Sequence, residues 1–128
     1  METIDVAKAP KAIGPYCHAM KVGALVFCSG QTPLDPESMK IDSATIEEQT
    51  ERVLKNLSIV LEDIGLDLKN IVKTNVYLKD MADFQGMNIV YEKMFQGHKP
   101  SRTTIAVKQN PLDALVEIEC IAEIKSKW

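Results

Sequence analysis

Residues 114–125 read ALVEIECIAEIK, an almost strict alternation in which Val116, Ile118, Cys120, Ala122 and Ile124 point one way and Leu115, Glu117, Glu119, Ile121 and Glu123 the other. A period of two with one dry face is a sheet strand covered on one side. What covers it must be amphipathic and helical, and the chain supplies two such stretches. From about Thr45 to Ile64 the residues Ile46, Val53, Leu54, Leu57, Val60, Leu61 and Ile64 recur on one helical face. Thr45 with Glu48 forms a capping box, Glu47 and Glu51 suit the positive end of the dipole, and Gly65 is placed to stop the helix. The second stretch has Phe84, Met87, Tyr91 and Met94 on its inner face, Asp83 near its start and Gly97 past its end.

Other strands lie on either side of these helices. His18 to Gly30 reads as a hairpin turning at Val22 and Gly23, with Ala24 to Ser29 as its second strand. The loop GQTPLDPESMKID follows, and IVKTNVYL, residues 71–78, is a strand with Val72, Thr74, Val76 and Leu78 on one face. The strand TTIAV and the strand from Val116 are read as a closing hairpin turning near Gln109 and Asn110. The order hairpin, helix, strand, helix, hairpin makes an α+β sheet with both helices on one side. Two helices cover one face only, yet the other carries Leu115, Ile121, Leu25, Phe27 and Tyr77, and it is expected to meet other subunits.

The 128 residues, 45% hydrophobic and 26% charged, fit one domain over 1–128 with an ordinary core. A net charge of -3 lacks the basic excess that draws proteins to phosphate backbones, so nucleic acid is disfavoured. No apolar run approaches the length of a membrane span. The N-terminus METIDVAKAPKAIGPY has no apolar core for a secretory signal, and a cytoplasmic location is expected. Cys17, Cys28 and Cys120 show no metal-ligand or disulfide spacing and read as reduced thiols.

Arg102 opens a strand, where a guanidinium can clamp a carboxylate with two parallel hydrogen bonds. In the hairpin reading Arg102 and Glu117 are symmetric about the turn and become cross-strand neighbours, and pattern alone favours a plain salt bridge between them. Glu117 in an apolar interface would have its pKa raised toward that of a general base. Glu119 and Glu123 read as solvated charges balanced by Lys79, Lys125 and Lys127. Cys17 and His18 are adjacent but project to opposite faces of an extended chain, so no dyad forms. Cys28 and Cys120 read as core residues, Tyr16 and Ser29 as surface hydroxyls, and His98 has no identified partner.

IGPY at Ile13–Tyr16, SGQTPLDP at Ser29–Pro36, IVKTNVYLKDMADF at Ile71–Phe84, NIVYEKMF at Asn88–Phe95, PSRTT at Pro100–Thr104 and ALVEIECIAEI at Ala114–Ile124 together resemble the Rid family of reactive intermediate deaminases, once called the YjgF family. The resemblance covers nearly the whole chain. It implies a chorismate-mutase-like mixed sheet with two helices on one face, assembled as a homotrimer with sites between subunits. It also implies hydrolysis of 2-iminobutanoate and 2-iminopropanoate to 2-keto acids and ammonia, with no metal or organic cofactor. By motif, Arg102 would bind the substrate carboxylate and Glu117 would hold the water, while Tyr16, Ser29, Gly30, Asn88 and Thr104 would line the cleft. Met39 stands where the family's turn has glycine, the stretch from Gly97 to Arg102 is short, and Cys17 and His18 after GPY are unusual. A non-catalytic ligand-binding or chaperone-like trimer is the alternative, which retention of both Arg102 and Glu117 argues against. An endoribonuclease or translation inhibitor ranks below it, because 5% aromatic content leaves little for base stacking.

Overall fold

The computed structural model describes residues 1–125. Its strands are β1 (Glu2–Ile4), β2 (Ala19–Val22), β3 (Leu25–Gln31), β4 (Ile71–Leu78), β5 (Ser101–Ala106) and β6 (Val116–Glu123), and its helices are α1 (Ile46–Glu62) and α2 (Phe84–Phe95). One sheet runs in the order β1-β2-β3-β6-β4-β5. Val116, Ile118, Cys120 and Ala122 of β6 are all buried and share one core with Val53, Leu54, Leu57, Val60 and Leu61 of α1 and Met87, Tyr91 and Phe95 of α2. Burying each large aliphatic side chain contributes about 1.5–3 kcal/mol, so this strip dominates the fold's stability.

The α1 cap forms as the capping-box pattern requires. Thr45 Oγ1 accepts from Glu48 N–H at 3.1 Å, and the Glu48 carboxylate accepts from Thr45 N–H at 3.4 Å. Gly65 follows the helix with φ +78°, a backbone geometry that favours glycine. α2 ends before Gly97 as expected, with Gln96 at φ 50° as its left-handed cap and Gly97 continuing at φ +90°.

The structure corrects the closing hairpin. β5 does not pair with β6; it runs parallel to β4, and β4 lies between them, antiparallel to β6. The unit β4-α2-β5 is a strand-helix-strand crossover, and the helix gives the chain the length to return parallel. Arg102 and Glu117 are therefore not cross-strand neighbours. Opposite Arg102 on β4 stands Thr74, and opposite Glu117 stands Tyr77.

Smaller corrections follow from local irregularity. A register shift between Ile71 and Lys73 turns Val72 outward and puts Ile71 in the core. Leu115, just before β6, packs on the core and not on the bare face. β1, unforeseen in the sequence, adds an edge to β2. The outer face of the sheet is bare, and Leu25, Phe27 and Ile105 there remain 38%, 42% and 47% exposed.

Candidate functional site

The candidate residues fall into two groups. Tyr16, Gly30 and Glu117 line one cavity of about 240 Å³, with Ile13, Leu34 and Leu112 as its apolar wall. Asn88 and Arg102 line a second, of about 450 Å³, together with Tyr91, His98 and Lys99. Glu117 sits in β6 between Val116 and Ile118, both buried toward the helices, so its own side chain takes the bare face. Arg102 is partly buried against α2, on the helix face. One intervening strand and three residues of offset along it put the two Cα atoms roughly 14 Å apart. Within one chain these side chains cannot meet, and no Arg102–Glu117 ion pair exists among the described residues.

At the first cavity the Glu117 carboxyl lies against the Gly30 backbone. A Cβ at position 30 would come within 3.0 Å of Glu117 Cδ and 3.2 Å of its Oε1, so glycine there leaves the room that the carboxyl occupies. Burial pushes the Glu117 pKa up, and the neighbouring Glu119 adds to the rise. Glu119 accepts from Asn75 Nδ2 at 3.0 Å, and Lys79 pairs with Asp113 at 2.9 Å, so the expected Lys79 partnership with the β6 glutamates is not made. Lys127 lies outside the described residues. Ser29, inside β3, donates to Cys17 C=O at 2.7 Å and lines neither cavity.

Around the second cavity lie polar groups without a nitrogen or oxygen partner. Arg102 stacks on Tyr91 at 4.8 Å and Phe84 at 5.6 Å from the ring centres, with Met87 Sδ 4.0 Å from Nη1. Among the described residues no carboxylate pairs with it. Asn88 Oδ1 and Thr104 Oγ1 are likewise buried without a hydrogen-bond partner. Thr104 follows Arg102 by two residues in β5, so the two share the helix face.

The histidines have structural partners. His18 Nδ1 accepts from Val6 N–H at 2.8 Å and Nε2 lies 2.7 Å from Pro10 C=O, which requires the proton on Nε2 and ties down the N-terminal segment. His98 Nε2 lies 2.6 Å from Ile71 C=O. Cys28 and Cys120 are buried register partners, and contact with Cys28 together with burial holds the Cys120 thiol well above its usual pKa. No group of three His, Cys, Asp or Glu among the described residues is placed to hold a metal ion, and no helix there is long and apolar enough to cross a membrane.

Sequence reasoning missed the aromatic cradle of Arg102, although Phe84, Met87 and Tyr91 were already on the inner face of α2. Leu112 carried no signal. It lies exposed at φ 57° beside Asp113 at φ 55°, two left-handed residues in a turn that Asn110 Nδ2 braces through Tyr77 C=O and Ala114 C=O. Met39 also adopts a left-handed φ of 59°, so the turn keeps its glycine-like geometry without glycine.

A family profile described as Endoribonuclease L-PSP matches residues 6–124. A RutC family protein of Pyrococcus abyssi is 48% identical over 94% of this chain and 95% of its own length. Reactive Intermediate Deaminase A, chloroplastic, of Arabidopsis thaliana is 46% identical over 96% of this chain and 66% of its own. The crystal structure of E. coli TdcF with bound serine superposes with a TM-score of 0.91 at 35% identity, covering 98% of this chain and 100% of that one.

Proposed function

Because the chain belongs to the Endoribonuclease L-PSP family, the YjgF/Rid family, we propose that it hydrolyses 2-imino acids, 2-iminobutanoate and 2-iminopropanoate among them, to 2-keto acids and ammonia. The observation that carries the reading is Arg102, a partly buried guanidinium with no carboxylate partner among the described residues. An unpaired cation in one cavity with an unpartnered acceptor, Asn88 Oδ1, suits a ligand bearing both a carboxylate and an N–H group. The E. coli relative with bound serine supports a ligand of that class.

The reaction needs a water aimed at the imine carbon, a base to take its proton, and a fixed substrate. Arg102 fixes the carboxylate. Starting from the protonated imine, Glu117 takes one proton from the water as oxygen bonds to carbon and returns it to nitrogen. As the C–N bond breaks and ammonia leaves, Glu117 takes the remaining hydroxyl proton and the keto carbonyl forms. A carboxyl whose pKa is raised is suited to these transfers. Since Arg102 and Glu117 lie on opposite faces of one sheet, they can act together only if a second copy brings its Glu117 cavity to the Arg102 cavity of the first. A homotrimer closed through the bare, apolar face provides this.

The test generates 2-iminobutanoate with a threonine dehydratase and follows 2-ketobutanoate release. Added protein should accelerate the release well above spontaneous hydrolysis, and an unchanged rate would overturn the proposal.

A further inference from the structure

Arg102 has several rotatable bonds and no carboxylate within ion-pair distance among the described residues, Glu92 across the same cavity included, yet a carboxylate clamp works only if the guanidinium waits in a fixed plane. What holds that plane is aromatic. The guanidinium carbon stands 4.8 Å from the centre of the Tyr91 ring and 5.6 Å from that of Phe84. Face contact with a ring leaves the N–H groups at the guanidinium edge free to donate. The Tyr91 ring is in turn fixed, because its hydroxyl lies 2.7 Å from Thr74 Oγ1, a fully buried side chain of β4. Thr74 is also the register partner of Arg102 across the β4–β5 ladder, so one strand position sets both the backbone of the arginine and the tilt of the ring beneath its head group.

We propose that Tyr91, tethered by Thr74 and assisted by Phe84, is a positioning residue that presents the Arg102 guanidinium edge-on to a substrate carboxylate. This rests on the reading of Arg102 as a carboxylate site. A tyrosine that merely filled the core would serve equally for any ligand, whereas a positioning tyrosine matters only to a ligand bearing the carboxylate.

The experiment measures binding of 2-oxobutanoate and of its neutral amide, 2-oxobutanamide, to the full chain by calorimetry. Tyr91→Leu should weaken 2-oxobutanoate about tenfold and leave the amide unchanged. Tyr91→Phe, which keeps the ring face but loses the tether to Thr74, should fall between the two, about threefold weaker than the wild type for the acid and unchanged for the amide. If Tyr91→Leu does not fold, Phe84→Leu, at the more distant ring, should weaken the acid about threefold and again spare the amide. Undiminished acid binding in a folded Tyr91→Leu or Phe84→Leu protein overturns the inference, as does an equal loss for acid and amide. A wild-type protein that binds the acid no better than the amide overturns the Arg102 reading itself, and this inference with it.

Discussion

Glu117 and Arg102 each face a test at the level of the single side chain. Burial raises the Glu117 pKa above the ordinary glutamate value, so between the unfolded and folded pKa values the native chain holds a proton that the unfolded chain has released. Stability therefore falls as pH rises through that window. In Glu117→Gln this slope should be absent, which denaturant titrations across mildly acidic pH would show. Imine turnover should follow the opposite course, rising with pH through the same raised pKa as the base ionises, and a rate already maximal below the ordinary carboxylate range would remove Glu117 from that role. Gly30→Ala tests the same carboxyl from behind. The atoms nearest its Cβ all belong to the Glu117 side chain, so stability should change little while turnover falls at least tenfold as the carboxyl is displaced. Arg102→Ala should cost about 1 kcal/mol or less, because it removes stacking on Tyr91 and Phe84 and no salt bridge.

Among the elements, α1 and β6 were legible because their burial pattern is local: capping residues, period and stop signal all sit within one segment. Thr45→Ala should cost about 1 kcal/mol of stability, measured by thermal unfolding, since it removes the side-chain acceptor for Glu48 N–H. A loss within error would mean that the cap is dispensable. The pairing of β5 was not legible by the same means. Symmetry about Gln109 and Asn110 describes a hairpin only if nothing enters between the two strands, and β4 does. The sequence order strand, helix, strand over residues 71–106 held the better signal, since such a crossover favours a parallel return beside the first strand. Chemistry followed the same division. Arg102 and Glu117 stood out as candidates from short motifs, but their separation onto two faces and two cavities was not readable, because it depends on which strand lies between them.

At the scale of the whole molecule, the two separate cavities and the bare sheet face carrying Leu25, Phe27 and Ile105 support the proposal that copies of the chain complete each other. Phe27→Glu would place a charge in the centre of that face and should convert a species of three times the chain mass into monomer in light scattering, with loss of turnover. A wild-type monomer at micromolar concentration would contradict the assembly. The most direct measurement mixes two inactive variants, Arg102→Ala and Glu117→Ala, by joint refolding, with hybrid formation verified by mass. Each keeps the half-site that the other lacks. If a site takes Arg102 from one copy and Glu117 from its neighbour, an equal mixture should recover imine hydrolysis at about one quarter of wild-type sites. Verified hybrids with no more activity than either variant alone would contradict the account.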